Sequence, residues 1–160
     1  MHLVIYALVD ASTEDEALAA GKSAFATLVG SRYAPFDYYV TFDEEGTTVA
    51  GKARWGDLPT AARLDSPAGE ELLEVAWTAT EREFERNLKK IRDGLSEFDD
   101  EEIMRDTDLV RHACYALGAY RGPAVHLYTE TGDGIRDAVH LEEVIDRLET
   151  PWIVPADVHY

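Results

Sequence analysis

The segment His2–Asp10, HLVIYALVD, is a near-continuous run of apolar residues at the start of the chain. It is too short to span a membrane, because a transmembrane helix needs about 20 apolar residues. It is also too uniformly apolar for a strand with one face in water, since such a strand alternates apolar and polar side chains. We therefore expect a strand that is buried on both faces, with helices packed over the sheet.

The length and composition predict a single domain over residues 1–160. The chain has 160 residues, of which 46% are hydrophobic, and this is enough for a sizeable core. The sequence lacks an apolar run of transmembrane length and a signal peptide, so we expect no membrane attachment. Because Cys114 is the only cysteine, an intrachain disulfide is impossible and a cytoplasmic location is expected.

The chain is strongly acidic, with 32 Asp and Glu against 15 Lys and Arg and a formal net charge of -17. The acids are spread along the whole chain, and this composition resembles that of proteins from extreme halophiles. Molar salt screens such self-repulsion at a few ångströms, so the acidity indicates adaptation to salt. An acidic surface that meets a basic protein partner is the alternative. Nucleic acid is disfavoured as a partner, because its binding depends on neutralising phosphates.

Hydrophobic periodicity and turn residues predict an ordered series of strands and helices. After the first strand we expect a helix (13–29), a strand (37–43) and an optional returning strand (47–51). A long helix (68–98) and a second helix capped by Asp99 (99–118) follow. The chain then continues with a strand (123–129), a short helix (139–148), a final strand (151–154) and a tail (155–160). This order predicts an α+β fold: a mixed sheet of four or five strands covered by helices, with a long helical hairpin inserted. The β-α-β segments at both ends leave a ferredoxin-like arrangement as an option.

The long predicted helix carries one apolar stripe from Leu73 to Phe98, with residues at alternating steps of three and four. About thirty residues at 1.5 Å each span roughly 45 Å, which is longer than the core of such a domain needs. We therefore expect the part from Trp77 to Phe98 to pack on the following helix or on a second copy, and we predict a homo-oligomer.

The same helix carries four basic residues within about 100° of one another on a helical wheel. They are Arg82, Arg86, Lys89 and Lys90. Such a patch can dock phosphate, nucleic acid or an acidic protein, although a solvated face with intrahelical ion pairs is more common on surface helices.

Aromatic residues give a second set of candidates for an interaction site. Trp55 lies in the long irregular segment 54–67, where an exposed indole fits a pocket or an interface. Other aromatic residues cluster around Pro35, namely Tyr33, Phe36, Tyr38 and Tyr39.

An enzyme is the alternative to a binding module. Asp10 and Asp43 lie at the ends of predicted strands, where carboxylates can bind Mg²⁺ or act in acid–base catalysis together with a histidine such as His112 or His126. These residues define a small metal-assisted hydrolase as the alternative function.

The spacing of the histidines and of Cys114 nevertheless predicts no metal site. His112 and Cys114 are two residues apart on a predicted helix and so point to different sides, and Cys114 falls on the apolar seam of that helix. Motifs for nucleotide, serine-hydrolase or zinc-protease chemistry are absent from the sequence, and no cofactor is identified. We therefore expect a non-catalytic binding or assembly module that forms a homo-oligomer or meets a protein partner.

Overall fold

The computed structural model describes residues 1–43, 49–119 and 121–160. Its elements in chain order are β1 (His2–Asp10), α1 (Glu14–Ala26), β2 (Tyr38–Thr41), α2 (Lys52–Trp55), β3 (Ala62–Arg63), α3 (Pro67–Glu97), α4 (Asp100–Arg105), α5 (Asp108–Gly118), β4 (Leu127–Tyr128), α6 (Ala138–Arg147) and β5 (Pro151–His159). The prediction of an α+β fold with a mixed sheet and a long helix is confirmed. None of the described helices is both long enough and apolar enough to cross a membrane.

β1 and β5 form the centre of the five-stranded sheet, whose order is β2-β5-β1-β4. β1 pairs antiparallel with β5 along its whole length and parallel with β4 on its other side. The far side of β5 pairs antiparallel with β3 near its start and with β2 near its end. β1-α1-β2 is thus a split βαβ unit with β5 inserted, whereas β4 and β5 run antiparallel. The ferredoxin-like option therefore describes only the first half of the fold.

The prediction that the first strand is buried on both faces is confirmed. Alternate residues of β1 join two separate cores, because successive side chains of a strand point to opposite faces. Ile5, Ala7 and Val9 pack with α1 on one face. Tyr6 and Leu8 pack with α3 and α6 on the other face.

α3 is the long helix that the sequence predicts, and its two halves have different neighbours. It begins at Pro67, where the missing N–H costs nothing, and the hydroxyl of Ser66 caps it by accepting a hydrogen bond from the Gly69 N–H. The residues of α3 that join the core on the sheet lie in its first half. The second half packs on α5 through a buried line that includes Asn87 and Gly94. The predicted helical hairpin is therefore present.

The single helix predicted over 99–118 is divided into α4 and α5. The predicted capping box of Asp99 and Glu102 is present at the start of α4, but the helix ends before Asp106 and Thr107. This break changes the phase of the residues that follow. The placement of Cys114 on an inward seam is consequently wrong: Cys114 is exposed, whereas its neighbour Ala113 is buried.

Three further boundaries differ from the prediction. The chain after residue 154 is not a tail, because β5 continues to His159. Trp55 ends the short helix α2 rather than lying in an irregular segment. Residues 47 and 48 of the optional strand over 47–51 lie outside the described residues, residues 49–51 form turns and a bend instead of a strand, and the fifth strand of the sheet is β3.

Candidate functional site

An open apolar groove of about 340 Å³ lies over the sheet between α2 and α3. β1, the segment around α2, and α3 each contribute apolar side chains, which are Leu3, Val4, Tyr6, Trp55, Leu58, Val75 and Ala79. A smaller cavity of about 220 Å³ shares Tyr6, Leu58 and Val75 with it and continues towards the start of α3. Cavities of a few hundred Å³ with mostly apolar walls are typical of small-molecule sites.

The groove exists because apolar residues on two elements are only partly covered. Val4 and Tyr6 share one face of β1 by the period of two along a strand. Val75 of α3 is 50% exposed and Trp55 is 40% exposed, although both are large apolar side chains. Exposed apolar surface that is concave and continuous indicates a binding site more strongly than scattered exposed residues do.

Tyr6 supplies a hydrogen-bond donor to this groove. The residue is only 4% exposed, and burial raises the pKa of its hydroxyl to about 12. The hydroxyl therefore keeps its proton at neutral pH. Within the part of the chain that the structure describes, no residue forms a hydrogen bond with this hydroxyl. The hydroxyl oxygen is also not among the fully buried atoms that lack a partner, so it remains open to a ligand or to solvent.

His126 supplies an acceptor. Its Nδ1 lies 3.1 Å from the carbonyl oxygen of Val4. Because a carbonyl only accepts, Nδ1 carries the hydrogen and Nε2 is left as the acceptor of the neutral ring. Burial lowers the pKa of His126 and outweighs the opposite effect of the bond to Val4, which favours this neutral form.

Backbone contacts hold His126 in place from two sides. Its N–H donates to the hydroxyl of Thr80 on α3 at 3.1 Å, and its carbonyl accepts from the N–H of Tyr6 at 2.8 Å. The imidazole is thus fixed by α3 and by β1, which carry the apolar residues of the groove. A site whose polar groups are fixed in advance loses little entropy when it binds.

A buried carboxylate fixes the α2 side of the groove. Asp157 of β5 is fully buried, and one of its oxygens lies 3.0 Å from Nδ1 of His2. The other oxygen accepts a hydrogen bond of 2.8 Å from the N–H of Gly51. Gly51 precedes α2 with φ of 61°, which glycine adopts without strain. Asp157 therefore ties the start of α2, and with it Trp55, to the centre of the sheet.

Aromatic and histidine rings surround this carboxylate at the end of the sheet. The Tyr38 hydroxyl lies 3.4 Å from Nε2 of His2. The ring of His159 stacks on that of Tyr38 with centroids 5.4 Å apart, and Nδ1 of His159 lies 2.7 Å from Asp37. The corner thus combines two His–Asp pairs, and each carboxylate orients one imidazole.

Two of the residues singled out from the sequence, Trp55 and His126, meet in the groove. The two candidate carboxylates do not line it. Asp10 accepts a hydrogen bond of 2.7 Å from the Thr150 N–H, and Asp43 pairs with Lys22 at 2.8 Å. Among the described residues, no group of three or more His, Cys, Asp or Glu side chains is placed to hold a metal ion.

The basic patch on α3 consists partly of ion pairs within the helix. Arg86 pairs with Glu83 and Lys89 with Asp93, three and four residues away. Lys90 lines a separate cavity of about 470 Å³ between α3 and α5, together with His112. Arg82 is exposed. Two of the four basic residues are therefore paired within the helix, as is common on the exposed faces of surface helices.

Several residues of the groove and its support were not singled out from the sequence. Tyr6 is buried as the sequence predicts, but the sequence does not show that it also lines the groove; it is the one hydroxyl in an otherwise apolar run and shares the period of two with His2. Asp157 lay in the supposed tail, and nothing in its local sequence marks it as buried. Leu58 and Val75 are ordinary apolar residues whose exposure only the fold reveals.

No curated protein and no solved structure matches the chain. A family model described as a domain of unknown function, DUF7995, matches residues 1–160. The match covers the chain from end to end, and the chain therefore belongs to the DUF7995 family.

Proposed function

We propose that the protein is a non-catalytic binding module whose groove takes a small, uncharged, mostly apolar ligand with one hydrogen-bonding group such as a hydroxyl. The observation that carries the proposal is the pair of uncharged polar groups in an apolar groove, the Tyr6 hydroxyl and the neutral His126 ring. One donates and the other accepts, so a ligand hydroxyl can bond to both.

The composition of the groove supports an uncharged ligand. The chain carries a formal charge of -17, yet the groove is lined by apolar residues and one neutral histidine. A charged ligand would lose its hydration there without a partner of opposite charge, which costs several kcal/mol by order of magnitude. The volume of about 340 Å³ suits a ligand with one or two rings.

The test is a titration with p-cresol and with toluene, followed by amide NMR shifts in molar KCl. We expect p-cresol to shift the amides of the groove and to bind several-fold more tightly than toluene, because a net hydrogen bond contributes about 1 kcal/mol. Val75→Asp should abolish binding by placing a charge in the groove. Val139→Asp, at a valine that is 65% exposed on α6, is the matched control and should bind like the wild type. Equal affinity for both compounds, or equal losses in both variants, would contradict the proposal.

We further propose that the protein assembles as a homo-oligomer through the second half of α3. Phe84 is 45% exposed and Leu95 is 61% exposed, although both belong to the apolar stripe of this helix. Leu88 and Ile91 lie between them and are half-buried. The four residues fall within about 60° on a helical wheel, and α5 packs on the neighbouring line of Asn87 and Gly94.

A second copy of α3 in antiparallel orientation would cover this strip. Such pairing places Phe84 opposite Leu95 and Leu88 opposite Ile91 in a two-fold arrangement. It also brings Arg92 of one copy within about one helical turn of Glu85 of the other copy. These two residues have opposite charges and lie on the same side of the strip. Both residues are exposed in the single chain.

Light scattering after size-exclusion chromatography in molar KCl tests the assembly. The wild type should have twice the mass of the chain, and Phe84→Glu with Leu95→Glu should give a folded monomer. Val139→Glu on α6 is the control and should remain a dimer. A monomeric wild type at high concentration would remove the assembly proposal without affecting the groove.

The cytoplasmic location and the adaptation to salt are also part of the proposed function, and they rest on the composition alone.

A further inference from the structure

A further cleft, on a different part of the molecule, has an unusual lining for so acidic a chain. It has a volume of about 630 Å³ and lies between the loop after α1, the end of α5 and the loop before β4. The described residues that line it include two arginines, Arg32 and Arg121, and no carboxylate. Acidic residues outnumber basic ones by 32 to 15 in the chain, so the charge balance of this lining is opposite to that of the chain as a whole.

Two tyrosines in this cleft are unusually exposed. Tyr33 is 88% exposed and Tyr115 is 77% exposed. Aromatic side chains at the surface bind flat partners well, because they offer a large rigid area at a small entropy cost. The guanidinium of Arg32 lies 5.9 Å from the centroid of the Tyr33 ring, so the cleft already holds one cation–π pair.

The walls of the cleft are tied to the core of the protein. The buried Tyr128 hydroxyl donates to the Gly122 carbonyl at 3.2 Å and fixes the loop that carries Arg121. Arg136 donates to the Ala116 carbonyl at 3.2 Å and fixes the end of α5. The Phe36 N–H donates to the Leu28 carbonyl at 3.2 Å and closes the loop that carries Tyr33. The cleft is therefore formed before any ligand binds.

Arg121 is oriented but not saturated. One of its terminal nitrogens lies 3.3 Å from Asp133, and its side chain remains 41% exposed. A guanidinium has five N–H donors in a planar fork that matches phosphate oxygens, so one such contact leaves donors for a ligand.

We propose that this cleft binds a nucleotide-like ligand, in which a flat aromatic base stacks on Tyr115 and a phosphate is bound by Arg32 and Arg121. A small ligand fits better than a nucleic acid strand, because two arginines neutralise few phosphates and the surrounding chain is acidic. A cleft of about 630 Å³ is within the size range of nucleotide-sized ligands. The site is separate from the apolar groove and does not depend on its ligand.

The experiment compares three probes on the intact protein by calorimetry and amide NMR: adenosine monophosphate, adenosine and ribose 5-phosphate. We expect adenosine monophosphate to bind most tightly, since it alone has both the base and the phosphate. Arg32→Gln should weaken it about tenfold and leave adenosine unchanged. Tyr115→Ala should weaken both compounds by a similar factor, whereas Tyr115→Phe should restore the stacking.

Arg82→Gln, at an exposed arginine on α3, is the control for the change of charge and should bind like the wild type. An equal loss in Arg32→Gln and Arg82→Gln would show unspecific attraction and overturn the proposal. Failure to detect adenosine monophosphate at millimolar concentration, with the protein folded by circular dichroism, would also overturn it. Equal affinity for ribose 5-phosphate would refute the stacking part.

Discussion

Removal of the Asp157 carboxylate should be among the most damaging single changes in this protein. Its side chain is fully buried and accepts hydrogen bonds from His2 at 3.0 Å and from the Gly51 N–H at 2.8 Å. Asp157→Ala removes the partner of both donors, of which the Gly51 N–H is buried and the His2 imidazole is partly buried. Breaking a buried pair of this kind costs about 3–5 kcal/mol. For a chain of this length we expect the melting temperature to fall by about 6–20 °C.

A conservative substitution separates hydrogen bonding from charge. In Asp157→Asn the amide oxygen can accept from the Gly51 N–H, while the NH₂ group donates to Nδ1 of His2 once the imidazole changes tautomer. We expect a loss of about 1–2 kcal/mol, well below that of the alanine variant. Asp93→Ala removes an exposed carboxylate that is paired with Lys89 and should leave the melting temperature nearly unchanged.

Thermal unfolding in molar KCl, followed by far-UV circular dichroism, measures these differences. The same samples titrated with p-cresol test the second role of Asp157, which is to hold α2 and Trp55 beside the groove. Affinity should fall in the alanine variant at temperatures where it is fully folded, and a role in stability alone would not change it. A melting temperature in Asp157→Ala as close to the wild type as that of Asp93→Ala would refute this reasoning.

Three further changes test other parts of the structure. Gly69→Ala should destabilise the protein by more than about 3 kcal/mol in urea unfolding, because the added Cβ would lie 2.0 Å from the Arg63 carbonyl oxygen. Gly118→Ala is the control: the position has open space around it, so the change should be neutral or slightly stabilising. Burial lowers the pKa of His126 below its ordinary 6.5, so the unfolded chain binds this proton more tightly than the folded protein does. The free energy of unfolding should therefore fall as the pH drops below about 6.5. In urea titrations, His126→Gln should lose this part of the pH dependence. The melting temperature should rise between about 0.1 M and 2 M KCl, because salt screens the repulsion within a chain of charge -17, and a fall would contradict the halophilic interpretation.

The elements that could be predicted from the sequence are those that carry a long continuous run or stripe of apolar residues. Residues 5–9 of β1 form an apolar run because both faces of the strand are covered there, and the apolar stripe of α3 begins where the first half of the helix packs on the sheet. The exact line of burial on α3 was less predictable. Asn87 and Gly94 are buried because α5 packs closely there, while Phe84 of the apolar stripe is 45% exposed. Close helix packing selects small residues, which a search for large apolar ones passes over.

The end of β5 could not be predicted because it breaks two rules that usually hold for central strands. Pro155 has no N–H to donate, and Asp157 has an ionisable side chain, which is rarely buried in a central strand. The register explains the proline: Tyr6, its partner on β1, donates its N–H away from β5, to the carbonyl of His126. The nitrogen of Pro155 therefore faces the other side of β5, where pairing with β3 has ended at Ile153 and pairing with β2 begins at Ala156. At that position a missing donor costs no ladder bond.

The groove follows from the same strand that organises the fold. β1 is fully covered only over its second half, since residues 5–9 are buried and residues 2–4 are half-buried. The sequence of the strand does not show this change, because Val4 is as apolar as Leu8. The helices over that face cover Leu8 but leave Val4 accessible, and the uncovered apolar surface becomes the groove. Apolar residues of a central strand that the helices leave uncovered thus mark a place where a ligand can bind and cover them.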